Sequence, residues 1–141
     1  MDTSDGARYF APLAGARYIA LTTFRRSGVA VSTTVWFAER NGALYVFSDA
    51  DAGKVKRLRH TARVTVAPCT ATGAVRGAAL DARGRIVTDD AEARAARGAL
   101  ARRYGLQWRA LAAYNGLMRA ISTVRRRADD AGDAYLAIER P

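Results

Sequence analysis

The sequence predicts a mainly β fold, a small antiparallel barrel with a short helix between its third and fourth strands and a helix pair near the C-terminus. Two observations support this prediction. Five segments rich in β-branched and aromatic residues follow one another at short spacing between residues 18 and 88, as in small barrels. Helical periodicity then begins at residue 89, and a last apolar run, Tyr135–Ile138, lies within the final strand predicted at 134–140.

The five strands are predicted in order along the chain. Strand one is Tyr18–Phe24 and strand two is residues 29–38, both β-branched and aromatic. Asn41-Gly42 predicts a tight hairpin into strand three, residues 44–47, because both turn residues tolerate positive φ. Strand four is Arg63–Cys69, and a longer β segment is predicted over residues 75–88.

The helices are predicted from capping signals and periodicity. Asp89 to Glu92 resembles a capping box, which begins a helix that runs through Arg103 and ends at Gly105. A second helix is predicted over residues 106–121. Its stripe at helical spacing is interpreted as core or interface and comprises Trp108, Leu111, Tyr114 and Met118.

The length of 141 residues allows one hydrophobic core and is short for two. We expect a single domain over residues 1–141, with an N-terminal arm at 1–16, a helical segment at 89–121 and the final strand at 134–140. No apolar run comes close to the length of about 18 residues that a helix needs to cross a bilayer. Residues 1–17 lack the continuous apolar stretch of a signal peptide, so we expect a cytoplasmic protein.

The cysteine and histidine content excludes two classes of site. One cysteine, Cys69, and one histidine, His60, cannot form an internal disulfide or a Cys/His zinc cluster. A nucleophilic pair of the two is not expected, because His60 follows a helix and Cys69 lies late in a strand. The net charge of +10 favours an anionic partner such as nucleic acid, an acidic membrane or a multiply charged ligand.

The only two lysines, Lys54 and Lys56, lie beside Gly53 at the start of the short helix predicted over residues 53–60. Backbone N–H groups at a helix start, together with nearby cations, attract anions. A site for a phosphate-bearing ligand is one interpretation of this segment. A solvated basic helix face is the other, and the segment alone leaves both open.

Several of these segments occur together in the order of a known family. They are Tyr18–Phe24, residues 33–37, 44–46 and 48–58, Arg63–Cys69, and the helical tail at 103–108. The chain resembles the split β-barrel flavin and deazaflavin oxidoreductases, the pyridoxamine 5′-phosphate oxidase-like superfamily. Within that superfamily it most resembles the actinobacterial group that depends on coenzyme F420. The resemblance extends from Tyr18 to Ile138.

The resemblance implies a split antiparallel β-barrel of the FMN-binding type, in a homodimer that holds its cofactor in a groove between the barrels. It assigns three sets of cofactor-binding residues. The residues that would line the ring system are Ser32, Thr33, Thr34, Val35 and Trp36. Those that would hold the phosphate are Ser48, Asp49, Gly53, Lys54, Lys56 and Arg57. Pro68 and Cys69 would flank the groove. Family members often carry proline where Thr34 stands. Arg25, Arg26 and Arg59 would contact the anionic tail of F420.

The function implied is hydride transfer between coenzyme F420 and a conjugated small-molecule substrate. No catalytic side chain is expected, because the hydride chemistry belongs to the cofactor and the protein binds, orients and excludes water. Tyr104 or Tyr114 could supply a proton, although core packing is an alternative role for each. Three other functions stay open: an FMN-dependent oxidoreductase or oxidase of the same fold, a basic barrel that binds nucleic acid, and a cofactor-binding protein without turnover.

Overall fold

The computed structural model describes residues 3–49, 52–122 and 133–141. The strands are β1 Tyr18–Phe24, β2 Ala30–Val35, β3 Phe37–Arg40, β4 Ala43–Asp49, β5 Arg63–Cys69, β6 Leu80–Ile86 and β7 Asp133–Glu139. The helices are α1 Thr3–Tyr9, α2 Gly53–Leu58, α3 Asp90–Tyr104 and α4 Leu106–Ser122, and a 3-10 turn spans Ala11–Leu13.

The strands form one antiparallel sheet in the order β2-β1-β5-β6-β7-β4-β3. β2 and β3 are consecutive parts of one chain segment, separated only by Trp36, yet they occupy opposite edges of the sheet. The first half of this segment pairs with β1 and the second half with β4. The sheet therefore curls into a barrel closed by residues 30–40, which confirms the predicted fold class.

The barrel interior is filled by apolar side chains from every strand, aliphatic except for Phe37 of β3. Ile19, Leu21, Val46, Val64 and Leu136 are completely or almost completely buried in one cluster, and burying each such side chain stabilises the fold by about 1.5–3 kcal/mol. Val55 and Leu58 of α2 belong to the same cluster. Helix α2 therefore packs its apolar face against the barrel interior.

A second cluster lies outside the barrel, where α3 and the start of α4 cover the outer faces of β3, β4 and β7. Its members include Tyr45, Leu100, Tyr104, Trp108 and Tyr135, with Trp36 and Phe47 packed against it. The N-terminal helix α1 approaches the opposite end of β3. A Cβ atom on Gly6 would lie 2.2 Å from the Gly42 carbonyl oxygen, so α1 crosses directly over the β3–β4 turn.

An ionic network ties α3 to the sheet. Tyr45 donates to Glu92 Oε2 at 2.7 Å, and Arg85 donates to both Glu92 oxygens and to Glu139. The hydrogen bonds from Arg85 lower the pKa of Glu92 to about 2. Burial, together with the hydrogen bond to Glu92, raises the pKa of Tyr45 to about 12. The Glu92 side chain therefore stays ionised and bound at neutral pH.

Several predicted boundaries agree with the structure. β1 and β5 have the predicted bounds, and Asn41 and Gly42 adopt φ of 53° and 82° in the hairpin turn. Asp89 caps α3 by accepting from the Glu92 N–H at 2.8 Å. Gly105, at φ 54°, follows the end of that helix.

Other predicted boundaries were wrong. The predicted strand at 29–38 is divided at Trp36, α2 ends at Leu58 instead of residue 60, and the segment at 75–88 is a strand only from Leu80. Before Leu80 it contributes one isolated bridge, between Cys69 and Val75. The capping box is incomplete, because the Glu92 side chain binds Arg85 and Tyr45 instead of its own helix N-terminus.

The second helix extends beyond the body of the protein. Of its predicted stripe only Trp108 is fully buried, whereas Tyr114 is 59% exposed and Met118 is 40% exposed. This helix was predicted to end at residue 121 and runs to Ser122. The arginines at 125–127 and the aspartates at 129–130, which follow this helix, lie outside the described residues. No helix in the described ranges is long and apolar enough to span a bilayer.

Candidate functional site

A pocket of about 400 Å³ lies between β2, β4, α2 and α4. Its lining residues are Thr34, Val35, Trp36, Phe47, Ser48, Asp49, Lys54 and Leu111. Six of these eight were singled out from the sequence, and they come from three segments that are separated along the chain. The fold therefore brings much of the predicted ring-binding and phosphate-binding sets to one place.

Aromatic rings form one wall of the pocket and hold each other in place. Trp36 stacks on Tyr104 with ring centroids 4.6 Å apart and planes 15° from parallel. Phe47 meets Trp108 edge-on at 5.5 Å and Tyr135 at 5.7 Å. Aromatic pairs in such geometries add about 0.5–1.5 kcal/mol beyond their burial. The wall is therefore preorganised to receive a flat apolar group.

The position of Trp36 depends on the break between β2 and β3. The Tyr104 hydroxyl accepts a hydrogen bond from the Phe37 N–H at 3.0 Å. The same hydroxyl lies within donating distance of two carbonyls, Arg17 at 2.8 Å and Phe37 at 3.0 Å. A side chain of α3 thus takes the place of a strand partner for Phe37, and Trp36 lies where the chain passes from one sheet edge to the other.

Lys54 supplies a cation to the pocket. Its side chain is partly buried, and this burial lowers the pKa of Lys54 below the ordinary lysine value. The negative charge of Asp49 opposes that shift and the positive charge of Arg57 adds to it. A partly desolvated ammonium binds an anion more strongly than a fully hydrated one, because water screens their attraction less.

Arg57 belongs to the last turn of α2, and its side chain does not line the pocket. Its Nε donates to the Thr23 hydroxyl of β1, and its guanidinium lies against Gly53, where a Cβ atom would be 2.7 Å from Nη1. Burial, with a smaller effect from the charge of Arg25, lowers the pKa of Arg57. Gly53 therefore makes room for the Arg57 side chain at the start of α2.

The remaining predicted residues lie around the pocket without lining it. Ser32 and Lys56 are exposed, and the Thr33 hydroxyl donates to the Leu21 carbonyl at 3.4 Å. Pro68 packs near Gly77, and Cys69 is buried at the end of β5. Arg25, Arg26, Arg59 and His60 are exposed, as is Tyr114, whereas the Tyr104 hydroxyl is fully engaged by backbone groups.

Three residues at or beside the pocket were not predicted. Phe47 is the last residue of the apolar run in β4. Side chains alternate between the two faces of a strand, so the sequence could have placed Phe47 on the outer face of the barrel. Leu111 belongs to α4, about sixty residues after Lys54 in the chain. The sequence singled it out only as a member of the apolar stripe of that helix. Gly73, at φ 91°, brings its loop against Thr34, because a Cβ there would lie 3.2 Å from the threonine hydroxyl.

The sequence profile of the pyridoxamine 5′-phosphate oxidase family matches residues 7–128. The chain belongs to this family. The matched range contains all eight residues that line the pocket. No functionally curated protein shows significant similarity to the chain.

Solved structures share the family fold at low sequence identity. The heme storage protein HutZ from Vibrio cholerae is 13% identical, with a TM-score of 0.63 over 100% of this chain and 92% of that one. An FAD-binding protein from Mesorhizobium loti is 17% identical, with a TM-score of 0.60 over 95% and 88%. A conserved hypothetical protein from Mycobacterium tuberculosis is 16% identical, with a TM-score of 0.62 over 99% and 81%. At these identities the likeness establishes the fold.

Proposed function

We propose that this family member is an oxidoreductase that binds a phosphate-bearing deazaflavin, coenzyme F420, in the pocket between β2, β4 and α4. The observation that carries the proposal is the partly buried Lys54 ammonium in a pocket whose other walls include Trp36, Phe47 and Leu111. A flat ring system with a phosphate on its side chain has both of the groups that these walls would bind. The volume of about 400 Å³ lies within the usual range of small-molecule sites.

The bound cofactor would supply hydride transfer, and the residues of the pocket bind and orient it. Lys54 binds the phosphate by a charge-assisted hydrogen bond, and Asp49 keeps the ammonium charged. Trp36 and Phe47 hold the ring, while the exposed Thr34 hydroxyl is free to hydrogen-bond its polar edge. Leu111 covers the pocket from α4 and excludes water.

The net charge of the chain favours F420 over less charged cofactors. F420 carries a phosphodiester and a polyglutamate tail, and a protein of charge +10 attracts such a ligand over a distance of about one Debye length. Arg25, Arg26 and Arg59 are exposed cations that could follow the tail. The sequence resemblance to the F420-dependent group supports the same choice.

FMN is the second candidate cofactor. Its phosphate would use the same lysine, and its ring the same aromatic wall. The similarity to an FAD-binding protein of the same fold favours a flavin. The heme storage protein of this fold suggests haem as a further ligand, but none of the eight lining residues is a histidine, cysteine, methionine or tyrosine, the side chains that bind haem iron axially.

We also propose that two copies of the chain form the working unit. Tyr114, Leu117 and Met118 are 59%, 57% and 40% exposed on α4, and they continue the helix beyond Leu111, which lines the pocket. Exposed apolar side chains grouped on one helix are typical of an interface. A two-fold related copy that covers them would extend the wall of the pocket.

The test is a titration of the purified protein with F420 and, in parallel, with FMN, followed by cofactor fluorescence. Micromolar or tighter binding of F420, with FMN bound at least tenfold more weakly (about 1.4 kcal/mol), would support the proposal. Tighter binding of FMN would move the protein to the flavin branch of the family. If neither binds, the proposal is wrong, and the salt dependence of DNA binding becomes the test of the remaining alternative. Oxidation of reduced F420 by quinones and enones then separates an enzyme from a carrier.

A further inference from the structure

A second and larger groove lies apart from the Lys54 pocket and shares no lining residue with it. It has a volume of about 670 Å³ and is bounded by α1, the 3-10 turn, β3 and α3. Five alanines leave it open, whereas the lining residues Phe10 and Phe37 are only 2% and 1% exposed and belong to the core beneath it. Three arginines reach it, Arg40, Arg102 and Arg103, against a single carboxylate, Glu39.

The groove has an excess of positive charge, although the charge of Arg40 is partly offset by the Glu92 carboxylate. The Glu39 carboxylate accepts a hydrogen bond from the Gly42 N–H at 2.9 Å, in the β3–β4 turn. Among the described residues no carboxylate pairs with Arg102 or Arg103 within ion-pair distance. Arg103 stacks over Phe37 at 4.6 Å and donates to the Ala16 carbonyl. Its buried Nε has no hydrogen-bond partner among the described residues.

The groove also contains a free strand edge. Phe37 directs its N–H and C=O away from β4, towards the Tyr104 hydroxyl. Strand residues two apart direct their backbone groups to the same side, so the N–H and C=O of Glu39 also point away from β4. No strand pairs with that side of β3 in the part of the chain that the structure describes. A donor and an acceptor are therefore available beside the arginines.

From these features we propose that the groove is a binding site for a small monoanion with an apolar body, an aryl-alkyl carboxylate being the best fit. The carboxylate would pair with Arg102 and Arg40, and the ring would lie against the exposed alanines Ala7, Ala11 and Ala14. Cations in a concave, partly apolar groove attract such a ligand more strongly than cations on an open surface, because the walls exclude water. This site is separate from the Lys54 pocket and does not depend on which cofactor binds there.

The test is a titration of the ¹⁵N-labelled protein with 4-phenylbutyrate, followed by amide chemical shifts. A Kd of about 1 mM is expected for a ligand of this size, with the largest shifts at Ala7, Ala38 and Ala99. The neutral analogue 4-phenylbutan-1-ol should bind at least fivefold more weakly. Absence of binding, equal affinity for the alcohol, or shifts centred on the Lys54 pocket would overturn the proposal.

Two variants and a matched control sharpen the test. Ala11→Trp fills the groove from an exposed position and should abolish the shifts, and Arg102→Gln should raise the Kd about three- to tenfold. Arg76→Gln removes the same charge from an exposed loop outside the groove and should leave the Kd unchanged. If Arg102→Gln and Ala11→Trp bind as the wild type does, or Arg76→Gln weakens binding as much as Arg102→Gln, the groove is not the site.

Discussion

The Tyr104 hydroxyl accepts a hydrogen bond from the Phe37 N–H at 3.0 Å and lies 3.0 Å from the carbonyl of the same residue. A residue of α3 thereby satisfies a strand edge beside which the described part of the chain places no other strand. The ring of Tyr104 also supports Trp36, the neighbour of Phe37 and a wall of the Lys54 pocket. The closure of the barrel and the shape of the pocket therefore depend on one side chain.

Tyr104→Phe tests this relationship. The substitution removes the hydroxyl and leaves the Phe37 N–H unpaired in a buried position, which should lower the free energy of unfolding by about 1–3 kcal/mol. Urea denaturation followed by circular dichroism measures the change. Tyr114→Phe is the matched control, because Tyr114 is 59% exposed and should tolerate the change within about 0.5 kcal/mol. Equal stability of the two variants would contradict the role given to Tyr104.

The Arg85–Glu92 network predicts how stability changes in acid. Hydrogen bonds from Arg85 lower the pKa of Glu92 from 4.5 to about 2 in the folded protein. A lowered carboxylate pKa stabilises the fold above the unfolded value, and this contribution is lost as pH falls from 4.5 towards about 2. Glu92→Gln should therefore be less stable at pH 7 but lose less stability over that range. Parallel pH profiles of wild type and variant would count against the network.

Parts of the fold were accessible from sequence because their causes are local. The β-branched runs of β1 and β5 have the predicted bounds, and Asn41-Gly42 determines its own turn. The break at Trp36 has a distant cause, a tyrosine of α3 that binds Phe37. The early part of the 75–88 segment, Val75-Arg76-Gly77-Ala78-Ala79, has no alternation of apolar and polar residues that would separate a strand from a loop.

The candidate site divides in the same way. Lys54 was singled out because the chain has only two lysines, and Thr34, Val35 and Trp36 were assigned from the family resemblance. The resemblance also assigned Ser48 and Asp49, which line the same pocket in the structure. Leu111 could not be placed, because it reaches the pocket through the packing of α3 and α4 and not through any local pattern. Arg57 was expected at the phosphate, whereas its side chain turns towards Thr23, a contact between α2 and β1 that only tertiary structure determines.

The exposed face of α4 predicts the oligomeric state. A dimer mass is expected by light scattering at micromolar concentration, since an unpaired apolar face would be costly in water. Leu117→Glu should give a monomer, because it places a charge in the proposed interface without disturbing the core. Ala112→Glu adds the same charge on the opposite side of the helix and should remain dimeric. A monomeric wild type would remove the shared-groove proposal.

A titration of paired lysine variants shows whether Lys54 holds the phosphate of a deazaflavin or flavin. Wild type, Lys54→Ala and Lys56→Ala are titrated with F420 and with FMN under identical salt. Lys54→Ala should weaken binding of the preferred cofactor by about 1–3 kcal/mol, the range for a lost charge-assisted hydrogen bond. Lys56→Ala, which removes an exposed lysine two residues away, should bind nearly as tightly as the wild type. Equal affinity of all three proteins, or a larger loss of affinity for Lys56→Ala than for Lys54→Ala, would contradict the assignment of Lys54 to the phosphate.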